Sequence, residues 1–214
     1  MTEPIIVCVG TDHEQHLAER ALEASIRRNT TGPVEIHWMR QGDPGWDWGG
    51  TDAGWATPFT LFRYQIPEYR ERRGRAIYMD VDMLAVGDLR ELWEMDLKGL
   101  GAASTFRPDV ILWDCAHPEW LDLHPREDAG ARKQNYRRVL TKAVRLSEDW
   151  DTKDALSDSA KVIHFTVMRT QPWKPYRGRF QYDQPHPSPA AVELFWHYAQ
   201  AGGVGDEIRK AIER

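Results

Sequence analysis

The chain has 214 residues, and its 28 Lys and Arg against 33 Asp and Glu leave a net charge of −5. That balance excludes a chain whose main work is wrapping nucleic acid, which needs an excess of cations facing phosphates. A composition 41% hydrophobic and 29% charged is that of a globule, long enough to bury about 70% of its unfolded surface in one domain.

Two cysteines, Cys8 and Cys115, are too few for a disulfide framework or a four-cysteine zinc site. The N-terminus has no basic leader, its apolar run Ile5 to Val9 is too short for a signal core, and no stretch approaches the roughly 20 apolar residues of a membrane span. A cytoplasmic protein with reduced thiols is expected. Basic clusters at Arg70–Arg75 and at Arg132, Lys133, Arg137 and Arg138 read as solvated surface or as a patch for peripheral membrane contact or an acidic acceptor.

Ile5-Ile6-Val7-Cys8-Val9 is a short, β-branched apolar run, the pattern of a strand buried on both faces. A helical pattern starts at Thr11-Asp12, with Leu17, Ala21, Leu22 and Ile26 on one stripe. Gly32-Pro33 breaks it, and Val34 to Met39 reads as a second strand. Strand, helix and strand at this spacing imply a βαβ unit and an α/β fold.

Residues 41–58 are rich in Gly, Asp and Trp and form a long loop, which is usually functional or mobile. Trp46, Trp48 and Trp55 crowd it and suit stacking on a sugar or base, as a lid or acceptor platform. A helical segment follows from Phe59 to Tyr69, ending near Pro67, and then a strand from Arg75 to Leu84. Asp88 is placed to cap a one-turn helix through Trp93. Val110 to Trp113 reads as a strand, Asn135 to Leu146 as a helix, Lys161 to Val167 as a late strand, and Ala190 to Ala201 as a closing amphipathic helix. No repeat or linker divides the chain, so a single domain over 1–214 is expected.

Strand alternation through Asp80 and Asp82 sends both carboxylates to one face, about 7 Å apart. Like charges so placed need a cation, and a hard divalent ion binding oxygens satisfies them; the competing reading is a solvated turn. On the late strand, alternation sets His164 beside Val162 and Thr166. A lone strand histidine is commonly a satisfied core residue. Beside an Asp-x-Asp pair it becomes a third metal ligand, one that suits Mn²⁺ better than Mg²⁺. Trp173, in the rigid Gln171-Pro172-Trp173 turn, either caps the core or covers the site.

These residues resemble family 8 glycosyltransferases. Met79-Asp80-Val81-Asp82-Met83-Leu84 and the Gly87-Asp88-Leu89-Arg90-Glu91-Leu92-Trp93 that follows look like the family's Asp-x-Asp block. Ile163-His164-Phe165 with Pro172-Trp173 resembles its late His-Phe…Lys-Pro-Trp motif, and Thr60 to Glu68 its helix with a diphosphate-binding arginine. The resemblance covers residues 5 to 173 in the family's order. It departs where Val167 stands for a glycine, where Gln171 stands for a phosphate-binding lysine (with Arg169 nearby), and in the want of a clear Asp-Gln-Asp segment near Glu148 to Asp151.

The resemblance implies a single GT-A type, Rossmann-like α/β domain with a mixed central sheet flanked by helices, in which about 1–90 bind nucleotide and about 91–214 form the acceptor and closing part. It implies a retaining, metal-dependent transfer of a sugar from a UDP-sugar to a glycan, lipid-linked sugar, small molecule or protein. It implies Asp80, Asp82 and His164 around Mn²⁺ or Mg²⁺. Val9, Gly10, Thr11, Asp12, Arg63, Asp80, Val81, Gln171 and Trp173 would then surround the nucleotide and its phosphates, with Asp109 and Asp151 toward the donor sugar. A degenerate member that binds nucleotide or sugar without transfer is the alternative. A haloacid-dehalogenase-type hydrolase, which also uses Asp-x-Asp, fits poorly because Met83-Leu84 follows the pair and the pair lies far from the first strand.

Overall fold

The computed structural model describes residues 3–48, 57–123, 129–173 and 185–204. Trp55, within the Trp-rich loop, lies outside them. The chain forms two interleaved compact units, one of residues 1–14, 32–80 and 90–148, the other of 15–31, 81–89 and 149–214.

The first unit is built on a six-stranded mixed sheet. Its strands are β1 (Ile5–Thr11), β2 (Val34–Arg40), β3 (Arg75–Asp80), β5 (Ala102–Ser104), β6 (Val110–Asp114) and β7 (Ala143–Arg145), in the order β2-β1-β3-β6-β5-β7. The fold class is thus α/β, as the sequence pattern implied. β1 is buried at every residue, as its unbroken apolar run predicts, and pairs in parallel with β2 and β3. β6 is antiparallel to both β3 and β5, and β5 is parallel to β7. The C-terminal ends of β1, β2, β3, β5 and β7 therefore share one edge of the sheet with the start of β6. Gly10 pairs across to Asp80 on that edge, and a Cβ at Gly10 would come within 2.8 Å of Tyr78 Oη and 3.3 Å of the Phe59 carbonyl oxygen. Glycine is there for close approach.

The second unit holds a three-stranded sheet, β4 (Met83–Ala85), β8 (Thr152–Lys153) and β9 (Val162–His164), in the order β4-β9-β8. It also holds helices α1 (His16–Asn29) and α5 (Pro189–Ala201). Helix α1 buries Leu17, Ala21, Leu22 and Ile26, the stripe read from the sequence. Ser25 Oγ accepts the Ala85 N–H at 3.0 Å, and Asn29 Nδ2 donates to the Ala85 carbonyl at 2.8 Å, which ties α1 to β4. Ser188 caps α5, its Oγ accepting the Ala191 N–H. Phe165, Trp173 and Phe195 form an aromatic cluster in this unit, with Trp173 stacked on Phe195 at 5.0 Å.

Three local expectations change. The segment from Arg75 to Leu84 is two strands: β3 stops at Asp80, residues 81–82 turn, and β4 joins the other sheet. The period-2 argument for a common face therefore fails at Asp82. The segment at 59–69 is a 3₁₀ helix, Pro58–Tyr64, followed by the short α2 (Ile66–Tyr69), and Pro67 sits in the first turn of α2, where its missing N–H costs nothing. The one-turn helix expected through Trp93 forms as α3 (Leu89–Trp93), and helix α4 (Ala129–Lys142) stops before Ala143, because residues 143–145 are taken as edge strand β7. Among the described residues no helix is long and apolar enough to cross a membrane.

Candidate active site

The two aspartates straddle the division of the chain, Asp80 closing a segment of the first unit and Asp82 lying in the second. Each is held by its own neighbours.

In the first unit Arg63, on the 3₁₀ helix, is buried to 3% exposure. Its Nη2 donates to both Asp80 oxygens at 2.9 and 3.0 Å, Nη1 to Asp109 Oδ1 at 3.0 Å and to the Pro108 carbonyl, and Nε to the Thr60 carbonyl at 2.7 Å. Every N–H edge of the guanidinium is thereby taken. Its carbon also lies 4.8 Å from the Tyr78 ring centroid, and Tyr78 Oη donates to Asp80 Oδ1. Burial alone would lower the Arg63 pKa, but Asp80, Tyr78 and Asp109 outweigh it, and the group is held charged well above its ordinary value. Burial pushes the Tyr78 hydroxyl well up, so it stays protonated and donates.

Tyr78 was not singled out in the sequence. It stands two residues before Asp80 on the same strand, so its place beside the carboxylate was readable from period-2 alternation. Val9, Gly10 and Thr11 lie buried on β1, and Asp12, just beyond it, accepts the Glu14 N–H at 2.8 Å. Trp46, expected to be displayed on a loop, is buried against Phe62 at 4.8 Å and Tyr69 at 5.4 Å. Trp48 stands 5.0 Å from Phe62. These two tryptophans anchor the start of the loop.

In the second unit His164, at the end of β9, is buried between two carboxylates. Its Nδ1 lies 2.7 Å from Asp151 Oδ1 and its Nε2 3.3 Å from Asp82 Oδ1. Burial pulls the imidazole pKa down, but the charges and hydrogen bonds of Asp82 and Asp151 push it well above the ordinary value. Asp151 is also 3.4 Å from Lys153 Nζ. Asp151 thus fixes the ring orientation of His164, a partnership that a separation of 13 residues on two elements leaves invisible in the sequence.

Gln171 Nε2 donates to Asp82 Oδ2 at 3.0 Å and to the Phe165 carbonyl at 2.7 Å, so it holds Asp82 in place. Trp173 Nε1 donates to Gln15 Oε1 at 2.9 Å, and its ring packs in the aromatic cluster. Arg169 is exposed on the short 3₁₀ turn Met168–Thr170, and Val81 is buried in the turn between the two aspartates.

The donor types fit a hard or borderline divalent cation: carboxylates from Asp80 and Asp82, and an imidazole nitrogen whose ring partner is itself carboxylate-bound.

Residues 53–137 match the sequence model of glycosyl transferase family 8. The chain is 26% identical to the Arabidopsis thaliana protein CDI, over 58% of each. Among solved structures it is similar to the apo form of the bifunctional glycosyltransferase WbbM, with a TM-score of 0.69 and 13% identity, covering 100% of this chain and 52% of that one. It is similar to the apo form of the glycosyltransferase GlyE of Streptococcus pneumoniae TIGR4, with a TM-score of 0.64 and 15% identity, covering 99% and 64%. The galactosyltransferase LgtC, solved with donor and acceptor sugar analogs, gives a TM-score of 0.64 at 11% identity, covering 92% and 96%. These structural likenesses establish the GT-A fold. The chain spans little more than half the length of WbbM and of the Arabidopsis protein.

Proposed function

We propose that this chain, whose residues 53–137 match the glycosyl transferase family 8 model, is a metal-dependent, retaining glycosyltransferase that uses a UDP-sugar. The observation that carries the reading is His164 set between Asp82 and Asp151, at the end of the strand paired with the one that follows Asp80-Val81-Asp82. A buried imidazole with one nitrogen on a carboxylate and the other toward a second carboxylate is the arrangement of an oriented metal ligand.

Asp80, Asp82 and His164 would hold Mn²⁺ or Mg²⁺. The cation would supply charge neutralisation on the departing diphosphate. The remaining roles belong to side chains. Asp151 orients His164, Gln171 fixes Asp82, and Arg63 with Tyr78 fixes Asp80. Thr11 and Asp12, at the end of β1, would read base and ribose, in keeping with ligand binding at the carboxyl ends of strands in open α/β sheets. Arg63 reaches a phosphate only by exchanging one of its present partners, so its first task is to position Asp80. No side chain is assigned as a nucleophile; retention would proceed by attack of the acceptor on the face the diphosphate leaves.

Thermal unfolding in the presence of UDP, GDP, ADP or CMP, each with and without Mn²⁺, tests this. UDP with Mn²⁺ should raise the midpoint more than either alone, since a native-state ligand at 100 times its Kd adds about 2.7 kcal/mol. Asp82→Asn and His164→Ala should abolish that synergy. No response to any nucleotide, together with Mn²⁺ stabilisation untouched by Asp80→Asn, would overturn the reading. The second reading, binding without transfer, is favoured by Gln171 and by the internally engaged Arg63. Nucleotide binding with no product from a broad donor and acceptor panel would establish it.

A further inference from the structure

The loop joining β5 to β6, residues 105–109, lies at the carboxyl edge of the six-stranded sheet, because β5 runs antiparallel to β6 and β6 antiparallel to β3. Its base is fixed. Thr105 Oγ1 accepts the Val110 N–H at 3.2 Å and contacts the Arg107 carbonyl, while Arg63 grips the Pro108 carbonyl and Asp109. On this held loop Phe106 is 71% exposed, the most exposed large apolar side chain among the described residues. Leaving a phenyl ring in water forgoes about 1.5–3 kcal/mol of burial.

Arg145 ends the edge strand β7, in register with Ser104, and lays its guanidinium over the Phe106 ring, 5.0 Å from the centroid. Arg145 is itself exposed, and among the described residues its N–H groups have no carboxylate or carbonyl partner. The pair is an aromatic face and a guanidinium fork, each already ordered by the other and open to solvent.

We propose that Phe106 and Arg145 form the acceptor platform, and that the acceptor is a saccharide bearing an anionic group, carboxylate or phosphate. This rests on the glycosyltransferase reading. The order of strands supplies the order of contacts: Thr11 at the end of β1 with Asp12 just beyond it, Asp80 on β3, Asp109 just before β6, then Phe106 beyond β5 and Arg145 on β7. At about 4.8 Å per strand, β5 stands roughly 10 Å from β3, leaving room for one sugar ring between the phosphate end and the platform. The C–H face of a pyranose covers an exposed ring, and a guanidinium binds carboxylate or phosphate through two parallel N–H bonds. Because the loop and the pair are fixed beforehand, little ordering opposes binding.

Saturation-transfer NMR with methyl glucuronide, glucose 6-phosphate and neutral methyl glucoside tests the platform. The two anionic probes should give transfer at least fivefold above the neutral one, and their ratio separates carboxylate from phosphate preference. Arg145→Gln should erase the anionic advantage, and Phe106→Ala should remove transfer to all three. Both side chains are exposed, so both variants should fold and keep the UDP and Mn²⁺ thermal shift of the parent. Equal transfer to neutral and anionic probes, or transfer that survives Phe106→Ala, overturns the platform. Loss of the UDP shift in the parent protein itself would instead overturn the donor reading, leaving the probe results to stand as a saccharide site.

Discussion

At the scale of single residues the site rests on buried charge pairing. Arg63 is the clearest case, because its guanidinium neutralises Asp80 and Asp109 away from water. Arg63→Met should strip both carboxylates of this buried counter-charge and cost about 3–5 kcal/mol, read as a lower urea midpoint. Adding Asp80→Asn removes one of the stranded charges and should restore part of that loss, a coupling only direct neighbours show. If the double variant is as unstable as the two losses summed, the pair does not interact in the way its geometry indicates.

Elements were legible where one local signal decided them. The buried run at Ile5 to Val9 and the stripe on α1 are set by burial of apolar residues, and both appear where the pattern puts them. Boundaries failed where a neighbouring strand competed for the same residues. Val144 fits the apolar stripe of α4, yet β5 recruits it as an edge partner, and the strand-like alternation from Ile77 to Leu84 hides a turn in which the chain changes sheets. Asp80, Asp82 and His164 could be singled out by residue type and Tyr78 by alternation, whereas the contact of Asp151 with His164 could not, because it joins two elements with no local signal.

The strands also bury both thiols. Cys8 lies within β1 and Cys115 directly follows β6, and both are free. Burial pushes the Cys115 thiol from 9.0 up to about 12, and Cys8 higher still, the two thiols reinforcing each other at Cys8. Between those values the unfolded chain loses the proton and the folded chain keeps it, so stability falls as pH rises above 9. At pH 10 the loss should be about 1.4 kcal/mol per thiol, seen as a smaller drop in urea midpoint from pH 8 to pH 10 in Cys115→Ala than in the parent. Equal drops would mean that the thiol is accessible in the native state.

Across the whole molecule the chain passes between its two units five times, at 14–15, 31–32, 80–81, 89–90 and 148–149. Residues 1–90, expected to carry the nucleotide-binding part of a single domain, do not close either sheet by themselves. A fragment ending at residue 90 keeps β1, β2 and β3 but lacks β6, the strand that covers the other edge of β3. Ala76 to Asp80 are all buried in the intact sheet, so the fragment would expose an apolar edge with unpaired backbone groups. It would equally lack β9, the partner of β4, and α5, whose Tyr198 hydroxyl meets Asn29 of α1 at 2.7 Å. The fragment 1–90 should therefore be unfolded or aggregated, with an amide spectrum of narrow dispersion. The intact chain should unfold in one transition, with tryptophan fluorescence and far-ultraviolet circular dichroism giving the same urea midpoint. A well-dispersed spectrum from 1–90 that also responded to UDP would show that nucleotide binding is an autonomous property of the N-terminal segment, and the five crossings would then be incidental to folding.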